Sequence, residues 1–159
     1  MGFRTTSYAY LGLEAFPVYV ETEVFSGMPQ FSLVGMAATS VQEAKERVRS
    51  AILVSGFQFP LKRKIVNLAP AERAKKGTHL DLSIALGLLA ASGQMPAPPS
   101  NVMILGELGL NGEVRGVLGA ALGVLLAEEM GCDAVLLPLE NYAEAASVSQ
   151  MRLIPVSHL

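Results

Sequence analysis

The sequence predicts an α/β domain of the α+β type, with a mixed sheet packed by helices. Three observations predict it. Segments with the period of a strand and segments with the period of a helix follow one another along the chain. Two further segments are apolar nearly all round, as helices buried against a sheet are. Apolar residues make up 51% of the 159 and charged residues 16%, a balance that builds one packed core and is too apolar for a disordered chain.

Residues 3–10 and 18–25 read as strands, with Val18, Val20 and Val24 alternating against Tyr19, Glu21 and Glu23. Ser26-Gly27-Met28-Pro29 is a turn. Residues 31–34 form a short third strand closed by Gly35. A helix begins at Ser40, where Ser40 and Glu43 stand at capping-box spacing. Val41, Ala44, Val48, Ala51 and Ile52 give it one apolar stripe, and Gly56 is a suitable residue to end it. Glu43 and Arg47 are four apart in the favourable order, while Lys45 and Arg49 face away from the core.

Residues 62–68 read as a strand running into Asn67-Leu68-Ala69-Pro70, and a charged loop covers 72–77. Residues 81–92 form the first buried helix, and Gly93 ends it. Pro96-Ala97-Pro98-Pro99 is a stiff connection. Residues 102–105 are a strand. Residues 108–110 and 114–116 flank Asn111-Gly112, a strong hairpin signal. Residues 118–130 form the second buried helix, capped by Gly131. A buried strand at 134–137, a short helix at 141–147 and a last strand at 152–156 complete the order.

Several chemistries are excluded by what the residues do not spell. No Walker A loop occurs, and the glycines at 106, 109 and 112 do not form a dinucleotide fingerprint. One cysteine, Cys132, and two distant histidines, His79 and His158, give no metal-ligand pattern. Glu107 and Glu113 flank the hairpin and read as solvated carboxylates, Cys132 as a packed thiol and His79 as a helix-entry residue. The most apolar stretch, 116–127, is shorter than the roughly 20 residues a bilayer needs. No export signal begins the sequence, so a cytoplasmic location is expected.

Charge is distributed unevenly. Residues 45–76 hold nine basic and two acidic residues, a net of +7, and the remainder holds three basic and twelve acidic, a net of −9. Such asymmetry suggests a basic face for phosphates on an acidic body. The candidate nucleic-acid contacts are Lys62, Arg63, Lys64, Arg73, Lys75 and Lys76, with Arg47 and Arg49 as a second group.

Two stretches carry a resemblance. Residues 106–115, Gly-Glu-Leu-Gly-Leu-Asn-Gly-Glu-Val-Arg, followed by a buried helix, Gly131 and the strand to Pro138, look like the second half of a Lon-protease-type domain. Gly35, the helix with Glu43-Ala44-Lys45-Glu46-Arg47-Val48-Arg49, Ser55-Gly56-Phe57 and Val66-Asn67-Leu68-Ala69-Pro70-Ala71 resemble the N-terminal domain of the YifB/ComM family of Mg-chelatase-like AAA+ ATPases. The resemblance covers essentially the whole chain as a single domain. It implies a fold like ribosomal protein S5 domain 2 and the Lon proteolytic domain. It also implies an ATPase module, with its ATP and Mg, beyond the chain end, and a homo-hexamer for the full-length protein. ComM-type members are linked to DNA branch migration in natural transformation, so DNA is the implied partner.

Lon-type chemistry needs a serine at the start of the first buried helix and a lysine on the second. The resemblance puts Asp81 at the serine position, with Ser83 two residues on, and Ala121 and Gly123 where the lysine belongs. Lys76 is the last lysine in the chain. Ser83 is expected to bond a backbone carbonyl. Asp81 is expected to share a capping box with Thr78, or to order the Lys75-Lys76-Gly77 loop through an ion pair. The expectation is therefore a non-catalytic domain that binds DNA by phosphate neutralisation. A purely structural assembly role is the alternative, and a vestigial serine hydrolase the remote one.

Overall fold

The computed structural model describes residues 2–159. A seven-stranded mixed sheet runs in the order β3-β4-β2-β1-β5-β8-β9. Its first strands are β1 (Gly2–Leu11), β2 (Glu14–Phe25), β3 (Gln30–Val34) and β4 (Arg63–Ala69). β1, β2 and β4 pair antiparallel, whereas β3 lies parallel to β4. β5 (Val102–Ile104), β8 (Ala134–Pro138) and β9 (Arg152–Val156) extend the other side in parallel. A separate hairpin joins β6 (Glu107–Leu108) to β7 (Val114–Arg115).

Helices cover both faces. α2 (Ala44–Val54) and α3 (Asp81–Ala91) pack Val48, Ile52, Ile84 and Leu88 onto Val18, Val20, Val66 and Leu68. On the opposite face α4 (Ala120–Glu129) and α5 (Tyr142–Ala146) pack Val124, Ala127 and Ala145 with Tyr8, Met103 and Val135. Among the described residues no helix is long and apolar enough to cross a membrane.

Three boundaries differ from the sequence reading, each for a local reason. β2 starts at Glu14 rather than 18. Pro17 is tolerated there because the pairing of β2 with β4 begins only at Tyr19, so at Pro17 a neighbouring strand lies on one side alone. The first helix is split: α1 (Thr39–Gln42) precedes α2, with Glu43 between them. Ser40 forms no capping box, because its hydroxyl accepts the Gly77 N–H at 2.9 Å. The Asn111-Gly112 hairpin is wider than a two-residue turn. Leu108 pairs with Val114, and Asn111 closes the loop by accepting the Glu113 N–H at 3.0 Å.

Gly35 joins β3 to the loop before α1, and its φ of 105° favours glycine. A Cβ there would collide with the Leu68 backbone carbonyl of β4. At Gly56, φ is 89° and a Cβ would meet open space. Gly56→Ala is therefore expected to cost about 1 kcal/mol from backbone strain alone. Gly35→Ala combines strain with the clash and is expected to cost at least about 2–3 kcal/mol. Urea unfolding of the two variants checks the difference, and equal costs would contradict the close approach.

Candidate functional site

The basic segment does not present one face. Three of its eight candidate residues are turned inward. Lys75 is 0% exposed, and its Nζ donates to the Gly35 carbonyl at 2.7 Å and to the Pro70 carbonyl. Lys64 is 3% exposed and donates to the carbonyls of Pro60 and Lys62 at 2.8 and 2.7 Å. Burial pushes both ammonium pKa values down, aided by Arg73 beside Lys75 and Arg49 beside Lys64. Arg47 is held by Asp81: Nε donates to Oδ2 at 2.6 Å and Nη2 to Oδ1 at 3.0 Å. Its Nη2 also donates to the Ser40 carbonyl at 3.1 Å, and Glu43 lies 3.8 Å from Nη1.

The exposed members fall at opposite ends of β4. Lys62 and Arg63 stand at its start, with the Arg63 guanidinium 5.5 Å from the Phe25 ring centre. Arg49 joins them from α2, 5.5 Å over Phe59. Arg73 and Lys76 lie past the far end of β4, and seven strand residues separate the two groups by roughly 20 Å. Arg73 is already engaged, 3.7 Å over Phe16 and 3.6 Å from Glu14.

Around the start of β4 the structure adds a residue the candidate set lacked. Lys45 lines one groove with Arg49, Phe59, Pro60 and Lys64, and Glu46 is the acid in that lining. The signal was present in the spacing, since Lys45 and Arg49 are four apart on one helix and share a face. Lys45 and Arg49 line this groove and Lys62 the neighbouring one, with Phe59 in both linings, while Arg63, one residue from the inward Lys64, points to the opposite face of the sheet beside Phe25.

Asp81 is the group that organises the interior. It opens α3, is 1% exposed, and accepts the Leu108 N–H at 3.1 Å as well as both Arg47 bonds. Burial pushes its carboxyl pKa up, and the Arg47 hydrogen bonds pull against that. Asp81 does stand in the first turn of α3, where the helix dipole favours a carboxylate, but neither the capping box with Thr78 nor the ion pair to the 75–77 loop forms. Thr78 gives its hydroxyl proton to Glu107 at 2.6 Å instead of capping, and the ion pair reaches α2 rather than the 75–77 loop. Glu107 and Glu113 share Arg115, at 4.0 and 3.6 Å. Among the described residues no three His, Cys, Asp or Glu side chains group as a metal site.

A family model described as subunit ChlI of Mg-chelatase matches residues 20–141. The chain belongs to this Mg-chelatase-like family. Within it, the chain is 41% identical to YifB of Salmonella typhimurium over 152 residues, which is 95% of this chain and 30% of that protein. It is 40% identical to the competence protein ComM of Haemophilus influenzae over 144 residues, 90% of this chain and 28% of the relative. The chain therefore spans about 30% of the length of the YifB/ComM proteins it matches, as a domain of that type. It is also 26% identical to Lon protease of Syntrophomonas wolfei over 152 residues, 88% of this chain and 19% of the protease. The mixed sheet with helices on both faces is a Lon-like domain.

The Lon resemblance points to Ser83 on α3 and to Ala121 and Gly123 on α4. Ser83 Oγ lies 2.7 Å from the Thr5 hydroxyl and is fully buried, so its partner is a side chain on β1 rather than the expected carbonyl. On α4, a Cβ at Gly123 would come within 2.5 Å of the Tyr8 ring, and just before the helix one at Gly119 within 2.7 Å of Tyr10. The Tyr8 hydroxyl donates to the Gly119 carbonyl at 2.9 Å, and its ring lies 4.6 Å from that of His79. The Tyr8 ring thus stands against Gly123, one of the two positions where the Lon resemblance puts the lysine. His79 is buried behind the two tyrosines, with Nε2 2.7 Å from the Tyr8 carbonyl, and burial lowers its pKa.

Two outcomes follow from this interior. Asp81→Ala leaves the Arg47 charge without its partner and is expected to cost about 3–5 kcal/mol. Arg47→Met with Asp81→Leu is expected to recover most of that loss, because no buried charge remains; urea unfolding compares them. His79 has a lowered pKa in the fold, so below the ordinary value of about 6.5 the unfolded chain takes up a proton that the folded chain refuses. Stability should thus fall as the pH drops from 7 towards 5, by at most about 1.4 kcal/mol per pH unit from this group. His79→Gln should flatten that dependence in unfolding measured across the window.

Proposed function

We propose that this chain is a non-catalytic accessory domain of a YifB/ComM-type protein and that it contacts DNA. The contact runs through Lys45, Arg49, Lys62 and Arg63 at the start of β4. The observation that carries this reading is the presence of Lys45, Arg49 and Lys62 in two adjoining grooves that share Phe59, with Glu46 the acid in their lining and Arg63 at the same strand end on the opposite face. Binding there is phosphate neutralisation, independent of base sequence and weakened by salt. The name competence protein, borne by one relative, favours DNA as the polyanion.

The non-catalytic reading is supported by the absence of any lysine after Lys76, by the Tyr8 ring against Gly123 and by the engaged Ser83 hydroxyl. ATP and Mg are assigned to an ATPase module in the other 70% or so of the full-length protein, in proportion to the relatives. A hexamer of that protein, working in the cytoplasm in DNA branch migration, is the setting we infer. The assembly role draws on a different observation: carboxylates gather at the opposite edge of the sheet.

Fluorescence anisotropy with labelled single-stranded and branched DNA tests the contact. Arg49→Gln, Lys62→Gln and Arg63→Gln together should weaken binding and reduce the salt slope by about two to three. Arg73→Gln with Lys76→Gln should change it little. Absence of binding at low salt would contradict the reading.

A further inference from the structure

The two ends of the sheet carry opposite charge, and both leave apolar side chains in solvent. Between positions 117 and 151 the chain holds Glu128, Glu129, Asp133, Glu140 and Glu144 and neither lysine nor arginine. These acids sit on and around α4, β8 and α5, on the second face of the sheet beside its β9 edge. There the 3₁₀ turn Leu139–Asn141 and α5 expose Leu139 (57%) and Tyr142 (43%). Leu139 and Tyr142 are three apart, and Glu140 and Glu144 four apart, so the apolar pair lies alongside the carboxylate pair.

The opposite end is shaped for such a surface. A groove of about 590 Å³ opens on the first face, between the C-terminal ends of α2 and α3 and the start of β4. Leu53, Phe57, Phe59 and Leu61 line it, Leu61 standing 78% exposed. Lys62 is on its rim, and Arg49 borders the neighbouring groove across Phe59. Gln94 and Gln58 hold the lining segment to the end of α3 by two hydrogen bonds, at 2.8 and 2.6 Å. The groove is thus anchored, apolar in its floor and cationic at its edge.

We propose that the occupant of this groove is the 3₁₀ turn and α5 of a second copy of this chain. Leu139 and Tyr142 of one copy fill the apolar floor of the other, and Glu140 and Glu144 meet Lys62 and Arg49. The two surfaces differ, so the contact is heterologous, and successive copies join head to tail. Opposite charges set the orientation and speed the encounter, while the apolar groups supply the burial. The proposal is read from the protein alone, and because both contacts use Arg49 and Lys62, a copy seated in the groove competes with DNA for them.

Sedimentation velocity over a range of concentrations and salt tests it. The wild-type chain should self-associate at low salt and revert to monomer at high salt. Leu139→Ser with Tyr142→Ser removes one surface, and Leu61→Ser with Lys62→Gln removes the other. Each double variant should weaken association about tenfold or more. An equimolar mixture of the two should form dimers and nothing larger, because one intact surface of each kind remains. All four side chains are exposed, and unchanged thermal unfolding would confirm that the variants fold. The first variant retains every cation and leaves Arg49 and Lys62 uncovered, so it should bind DNA at least as tightly as the wild-type chain, which separates failure of this proposal from failure of the DNA reading. A wild-type chain that stays monomeric at low salt, or variants that associate as it does, would overturn the proposal.

Discussion

A carboxylate that opens a buried helix needs partners inside the protein, and Arg47 supplies two hydrogen bonds to Asp81 from the neighbouring α2. The Leu108 N–H adds a third from β6. One ion pair therefore ties together α2, α3 and the separate hairpin. Buried pairs of this kind are costly to break and add little over a well-packed apolar pair, so their value lies in fixing which elements meet. Here the pair holds α2 against the start of α3 and turns Arg47 inward, away from the exposed Arg49.

The charge of the basic segment is divided by the same logic. Lys75 fastens Gly35 to Pro70 from within, and Lys64 closes the 60–62 turn onto its own strand. With Arg47, these three hold the fold. What remains outside is a cationic group at the start of β4 and a weaker pair, Arg73 and Lys76, past its end. The cationic group lies toward the β3 edge and the acids toward β9, so the domain is polar along the width of its sheet. That polarity, rather than the net charge of −2, is what a partner meets.

Much of this was legible in the residues. Alternation gave the strands, and the all-round apolar runs gave α3 and α4. Lys64 was legible too, because it shares the parity of Val66 and Leu68 and so must point with them into the core. Lys45 and Arg49 announced a common face by their spacing. Arg47 misled because Glu43, four residues earlier, explains it equally well, and that weak contact is indeed present at 3.8 Å. Asp81 and Arg47 are 34 residues apart, and Lys75 and Gly35 are 40. No local period encodes contacts at such separations, so these tertiary bonds became visible only in the fold. Ser40 shows the same effect on a cap: a distant N–H from Gly77 took the hydroxyl that local spacing had assigned to its own helix.

The likeness to the Lon domain is one of fold, and beside α4 the Tyr8 and Tyr10 rings pack against Gly123 and Gly119. The proposed DNA contact lies at the start of β4. Amide chemical-shift mapping of the chain with a short single-stranded DNA at low salt tests that most directly. The account predicts shifts confined to Lys45, Arg49 and residues 59–63, with Lys75 and the Arg73–Lys76 end unmoved. Shifts centred on residues 73–76, or none anywhere, would contradict it.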